Sequence, residues 1–122
     1  MHNVMVLGAG KIGALVAQLL GGTRDYRVHL IDVGLSEAAV SLGTNNDSIS
    51  VQEMDCSQKN KLIKYINDNR IETVISCLPF YCNKIVAEAV CEIGINYYDL
   101  TEDVTVTNFI KDLSYESPGY FV

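Results

Sequence analysis

The chain has 122 residues, of which 48% are hydrophobic and 20% charged, the length and composition of a single globular domain with a real core. Nine basic against fifteen acidic residues give a formal charge of −6, which argues against a nucleic acid or an anionic membrane as partner. No stretch approaches the roughly 18 apolar residues of a membrane span, and the start lacks the basic region and long apolar run of a signal peptide.

A cytoplasmic protein is therefore expected. Cys56, Cys77, Cys82 and Cys91 form no Cys-x-x-Cys pair and have no histidine at zinc-ligand spacing, so they read as reduced thiols, and no metal site is expected.

In chain order, Val4 to Leu7 is apolar without alternation, as in a strand buried on both faces. A glycine turn follows. Ile12, Leu15, Val16, Leu19 and Leu20 then recur at helical spacing and predict an inward stripe, with Gly21-Gly22 supplying a left-handed end. A second strand is expected from Arg27 to Ile31, stopping at Asp32. A short helix from Ser36, as N-cap, to Leu42 precedes a polar turn over Gly43 to Asp47.

Ile49 to Glu53 reads as a third strand, and Lys59 to Asp68 as an amphipathic helix with Leu62, Ile63 and Ile66 inward. Thr73 to Cys77 is a fourth strand halted at Leu78-Pro79, because proline cannot serve a central ladder. Ile85, Val86, Ala89, Val90 and Ile93 mark a helix closed by Gly94, and Ile95 to Asp99 a fifth strand. Beyond Leu100 the pattern fades: Val104 to Leu113 suggests a helix, and Ser114 to Val122 has no periodicity. The alternation predicts one α/β domain over residues 1–122, a Rossmann-type doubly wound parallel sheet of order 3-2-1-4-5.

Gly8-x-Gly10-x-x-Gly13 leaves the first strand and opens the first helix, and Asp32 lies nineteen residues after Gly13 at the end of the second strand. Together these form a dinucleotide fingerprint in its required setting. Gly8 permits the tight turn, Gly10 lets the pyrophosphate approach the backbone, and Gly13 allows close packing of the helix on the sheet. The N–H groups of Lys11 and Ile12 would face the phosphates at the positive end of the helix dipole.

Asp32 would accept hydrogen bonds from the adenosine ribose hydroxyls and repel a 2′-phosphate. No Lys or Arg stands between Asp32 and Lys59, while Glu37 and Asp47 add negative charge, so NAD is favoured over NADP. Asp55 has two open readings, a contact to the adenine edge or a carboxylate at a helix start. Ser76, Cys77, Leu78 and Pro79 would pass beneath the nicotinamide-side ribose and offer mainly backbone. His2 and His29 are expected to have no functional role. Tyr97, Tyr98 and Asp99 are acid/base candidates by position alone, against the plainer reading of a buried strand, so no catalytic residue is named.

Gly8-Ala9-Gly10-Lys11-Ile12-Gly13, Met54-Asp55 before a helix, Cys77-Leu78-Pro79-Phe80-Tyr81, and Ala87-x-Ala89-Val90 leading to Tyr97-Tyr98-Asp99-Leu100 resemble the N-terminal domain of the saccharopine dehydrogenase family. The resemblance covers about residues 3–103. It implies an NAD(P)-dependent oxidoreductase acting by hydride transfer at a carbon–nitrogen bond of an amino-acid-derived substrate such as saccharopine or lysine. It makes Gly8 to Gly13, Asp32, Asp55 and Ser76 to Pro79 cofactor contacts.

Family enzymes are several times longer and carry a second, substrate-binding domain. On that basis the 122 residues are expected to bind cofactor and to be inactive alone. The competing reading is an NAD(H)-sensing regulatory module of an ion-transport protein, which would need no substrate domain.

Overall fold

Apolar segments without alternation end up in the middle of the sheet, where both faces are covered. A computed structural model describes residues 2–99, 111–114 and 119, and within them ten elements follow one another. They are β1 (His2–Leu7), α1 (Lys11–Gly22), β2 (Tyr26–Asp32), α2 (Glu37–Asn45), β3 (Ile49–Glu53), α3 (Lys59–Asp68), β4 (Thr73–Ser76), a 3-10 turn (Phe80–Cys82), α4 (Asn83–Ile93) and β5 (Asn96–Asp99).

All pairings are parallel and the order is β3-β2-β1-β4-β5, as the alternation predicts. Val4, Val6, Val28, Leu30 and Ile49 pack with Ala17 of α1 and Ala39 of α2 on one face. Met5, Leu7, Ile31, Val74 and Tyr97 pack with Leu62 and Ile66 of α3 and Val86, Ala87, Ala89 and Val90 of α4 on the other. Neighbouring residues of a strand thus feed opposite cores, the period of two that a pleated strand imposes.

The chain runs outward from β1 to β2 and β3, then crosses back to β4. The carboxyl ends of β1 and β4 therefore flank the point where the winding reverses, the place where such sheets bind ligands.

Three details differ from the sequence reading. The inward face of α1 is Gly13, Ala17 and Gly21, with Val16 and Leu20 partly buried, whereas Ile12, Leu15 and Leu19 are 57%, 53% and 63% exposed. Small residues let the helix lie close to the sheet: a Cβ on Gly21 would stand 2.6 Å from Cγ1 of Ile49. Helix α1 also runs through Gly22, its cap is Thr23, and the left-handed residue is Arg24 at φ 63°.

Helix α2 is longer than expected and absorbs Gly43 to Asn45. Its N-cap is Ser36, whose Oγ accepts from the Ala39 N–H at 3.1 Å. Gly94 closes α4, as predicted, and does so in the left-handed conformation at φ 84°. The helix predicted over 104–113 lies outside the described residues except for its end, where residues 111–114 are helical.

Candidate dinucleotide site

The turn after β1 is held from both sides. Gly8 adopts φ 96°, a conformation open to glycine and strained for other residues. Its N–H donates to the Ile31 carbonyl at 2.8 Å, and a Cβ there would stand 2.8 Å from the carbonyl oxygen of Cys77. The Cys77 N–H in turn donates to the Leu7 carbonyl at 2.7 Å, so the end of β4 forms the wall opposite β2. A Cβ on Gly13 would sit 1.7 Å from the Gly8 carbonyl oxygen. Gly13 is thus required by the turn itself, more directly than by the sheet.

Gly10 behaves differently. A Cβ there meets nothing within 4 Å, and its backbone at φ −72°, ψ −168° is one that any residue can adopt. Neither strain nor crowding within the protein demands glycine at this position. The open space stands at the start of α1, where the Ala14 N–H makes the first return bond, to Gly10 O at 2.9 Å. The N–H groups of Lys11, Ile12 and Gly13 precede it and form the donor end of the helix, which suits an anion. The residues present therefore fit a pyrophosphate.

Asp32 ends β2 beside this turn. Its Oδ2 accepts from the Ala9 N–H at 2.8 Å and its Oδ1 from the Val33 N–H at 2.7 Å. In the parallel register Asp32 lies opposite Glu53 of β3, so two acidic residues stand side by side at the carboxyl end of the sheet. Met54 follows Glu53 and donates its N–H to the Asp32 carbonyl at 2.9 Å.

Asp55 is exposed, and its Oδ1 accepts from the Ser57 N–H at 2.9 Å and the Ser57 hydroxyl at 2.6 Å. Those bonds from Ser57 hold its carboxyl below the usual range. Between these acids lies the buried Cys56 thiol, pushed up to about 12 by burial first and by the Asp32 and Asp55 charges second. It stays protonated and is a poor nucleophile.

At the end of the fourth strand the polar groups are taken up within the protein. The Ser76 hydroxyl is turned inward and donates to Oδ1 of the buried Asn83 at 2.6 Å. Leu78 packs against the α3/α4 core, while exposed Pro79 accepts the Cys82 N–H on its carbonyl at 2.9 Å. Below them the fully buried Tyr97 donates its hydroxyl to Asp99 Oδ2 at 2.8 Å, and burial raises its pKa.

Tyr97 is thus buried within β5, as the plainer reading expects, whereas its neighbours Tyr98 and Asp99 are half-buried. Sequence reasoning overlooked the bond from Ala9 to Asp32, and Asn83. Ala9 acts through its backbone, which no side chain signals, and Asn83 matters through its contact with Ser76, seven residues away.

The structure thus brings the Gly8–Gly13 turn, Asp32 and the chain leaving β4 at Cys77 together at the carboxyl end of the sheet, and Asp55 follows Met54, whose N–H is bound there by Asp32. Among the described residues there is no group of three or more His, Cys, Asp or Glu that could hold a metal, and no helix long and apolar enough to cross a membrane.

Residues 4–118 match the family described as the saccharopine dehydrogenase NADP binding domain. No curated protein matches the sequence. Among solved structures, apo saccharopine dehydrogenase (L-Glu forming) from Saccharomyces cerevisiae is similar with a TM-score of 0.78 and 21% identity, over 95% of this chain and 24% of that one. The dTDP-glucose 4,6-dehydratase of Bacillus anthracis, in complex with NAD, gives 0.74 and 13% over 99% of this chain and 54% of its own. Leucoanthocyanidin reductase from Vitis vinifera, a binary complex with NADPH, gives 0.74 and 17% over 98% and 47%. At these identities the three likenesses establish the fold. The chain spans about a quarter of the first protein and about half of the other two.

Proposed function

The chain belongs to the saccharopine dehydrogenase NADP-binding domain family, and we propose that its crevice holds NAD(H) for an oxidoreductase acting at a carbon–nitrogen bond of an amino-acid-derived substrate. The observation that carries this reading is the open space over Gly10, facing the donor end of α1, in a turn that is otherwise closed by Gly8 and Gly13.

In this reading the Lys11, Ile12 and Gly13 amides bind the pyrophosphate, and Asp32 accepts from the adenosine ribose hydroxyls. The Ser76–Pro79 backbone lies beneath the nicotinamide ribose, and Asp55 stands at the adenine rim. The nicotinamide supplies the hydride chemistry. The residues described here orient it and leave its outer face to substrate groups outside this sheet. A substrate of the saccharopine or lysine kind, held by a region outside these 122 residues, completes the reading. Four free thiols fit a reducing compartment, and we place the protein in the cytoplasm.

The family's description names NADP, whereas the charges of this edge support NAD. A 2′-phosphate would meet Asp32 and the adjacent Glu53, with no Lys or Arg between residues 32 and 59 to pair with it. A charge-assisted bond to a phosphate contributes roughly 1.5–3 kcal/mol where a partner exists, so its absence matters. Calorimetric titration is expected to show NADH binding at least about tenfold more tightly than NADPH, a difference near 1.4 kcal/mol. Equal affinities, or a preference for NADPH, would overturn the assignment of NAD.

A further inference from the structure

Asp32 does more in this fold than wait for a ribose. Gly8 and Ala9 are consecutive residues of the phosphate turn, and Ile31 and Asp32 are consecutive residues of β2. The Gly8 N–H is bound by the Ile31 carbonyl and the Ala9 N–H by the Asp32 carboxylate, both at 2.8 Å. The carboxylate therefore extends the β1–β2 ladder one step past the end of β1, into the phosphate turn. On the opposite side the Cys77 carbonyl closes against Gly8. The second oxygen of Asp32 is fixed by the Val33 N–H at 2.7 Å, which sets the rotamer that reaches Ala9.

We infer that Asp32 is a positioning residue for the phosphate turn: its carboxylate pins the Ala9 amide and thereby aims the Lys11, Ile12 and Gly13 amides at the pyrophosphate. This rests on the dinucleotide reading of the site and extends it. The Ala9 N–H is committed to the protein and is no phosphate donor. Each carboxylate oxygen keeps a lone pair after accepting one N–H, so the ribose contact remains open to it. Asp32 then acts on both ends of the adenosine diphosphate moiety, through the turn and through the sugar. Substitutions made at Asp32 to change cofactor preference would loosen the turn that both cofactors share.

The two roles separate with a ligand that has no hydroxyls for Asp32 to bind. An NAD analogue built on 2′,3′-dideoxyadenosine keeps the pyrophosphate and loses the ribose contact. Three proteins are compared, the parent chain, Asp32→Ala and Asp32→Asn, the last keeping one acceptor oxygen. Without ligand, hydrogen exchange at the Ala9 amide is expected to speed up about tenfold or more in Asp32→Ala and to be partly restored in Asp32→Asn. The dideoxy analogue is expected to bind Asp32→Ala about five- to tenfold more weakly than the parent, a loss that no ribose contact explains.

Unchanged Ala9 exchange overturns the pin. Faster exchange with equal binding of the analogue overturns the claim that the pin aims the phosphate donors. Should Asp32→Ala fail to fold, Asp32→Val, which likewise has no acceptor for the Ala9 N–H, carries both measurements. If the parent binds neither NAD nor the analogue, the dinucleotide reading fails and the claim that the pin aims phosphate donors falls with it, while Ala9 exchange still decides whether the carboxylate holds the turn.

Discussion

The three motif glycines respond differently to a methyl group, and the difference separates fold from binding. At Gly13 a Cβ would meet the Gly8 carbonyl at 1.7 Å, and at Gly8 the left-handed backbone and the Cys77 carbonyl both oppose it. At Gly10 the space is open and the backbone ordinary. Gly10→Ala is therefore expected to melt within about 1 kcal/mol of the parent, the small loss at a helix cap being offset by reduced freedom of the unfolded chain. The same variant is expected to bind NADH at least about tenfold more weakly, because its methyl occupies the space left for a phosphate.

Thermal melting and titration read the two effects separately. A Gly10→Ala protein that binds normally would remove the main support for the site. These positions were legible in the sequence because glycine spacing after a buried strand has few other uses. The Ala9 amide was not, since a backbone contact to Asp32 leaves no trace in residue type.

At the scale of elements, the inward face of α1 shows where periodicity misleads. Ile12, Leu15 and Leu19 follow helical spacing, yet Gly13, Ala17 and Gly21, each four residues from the next, form the face that meets the sheet. Close approach of backbone to strand outweighed the burial of larger side chains, and Ile49 touching the position of a Gly21 Cβ shows how close it is. Overpacking such a face costs roughly 1–3 kcal/mol, so Ala17→Leu is expected to lower the unfolding free energy by that amount. Leu19→Gln, on the exposed side, is expected to stay within about 0.5 kcal/mol. Denaturant titration distinguishes them, and the reverse ranking would place the helix on its other face.

His29 of β2 carries a second prediction between elements. It is 6% exposed, its Nδ1 shares a 2.8 Å hydrogen bond with the Tyr65 hydroxyl of α3, and its Nε2 has no partner among the described residues. Burial first, and the Arg27 charge second, hold its pKa below the ordinary 6.5. In the window between those two values the unfolded chain binds the extra proton and the folded chain does not. Stability is therefore unaffected by this group above about pH 6.5 and falls as the pH drops from there toward the lowered folded value. His29→Gln is expected to flatten the melting temperature between about pH 6.5 and 5 relative to the parent. Identical slopes in the two proteins would show that the imidazole keeps its ordinary affinity for protons. The histidine's place inside a strand was legible in the sequence, whereas its partner Tyr65, thirty-six residues away, was not.

For the whole molecule, strand order followed from alternation and the handedness of parallel crossovers, because each buried run had few places to go. The winding reversal between β1 and β4 then marks the place along the carboxyl ends of the strands where such sheets bind ligands. What the sequence could not convey was how the crevice is closed, since that depends on carbonyls and amides meeting across three strands. An acidic protein of net charge −6 is expected to bind an anionic dinucleotide through the donor end of one helix. Amide chemical shifts followed during titration with NADH test it most directly. The expected result is saturable movement of Lys11, Ile12 and Gly13, with Val33 and Cys77 responding at the flanks and the amino ends of the strands unmoved. No saturable change at Lys11 to Gly13, or changes confined to the opposite edge of the sheet, would contradict it.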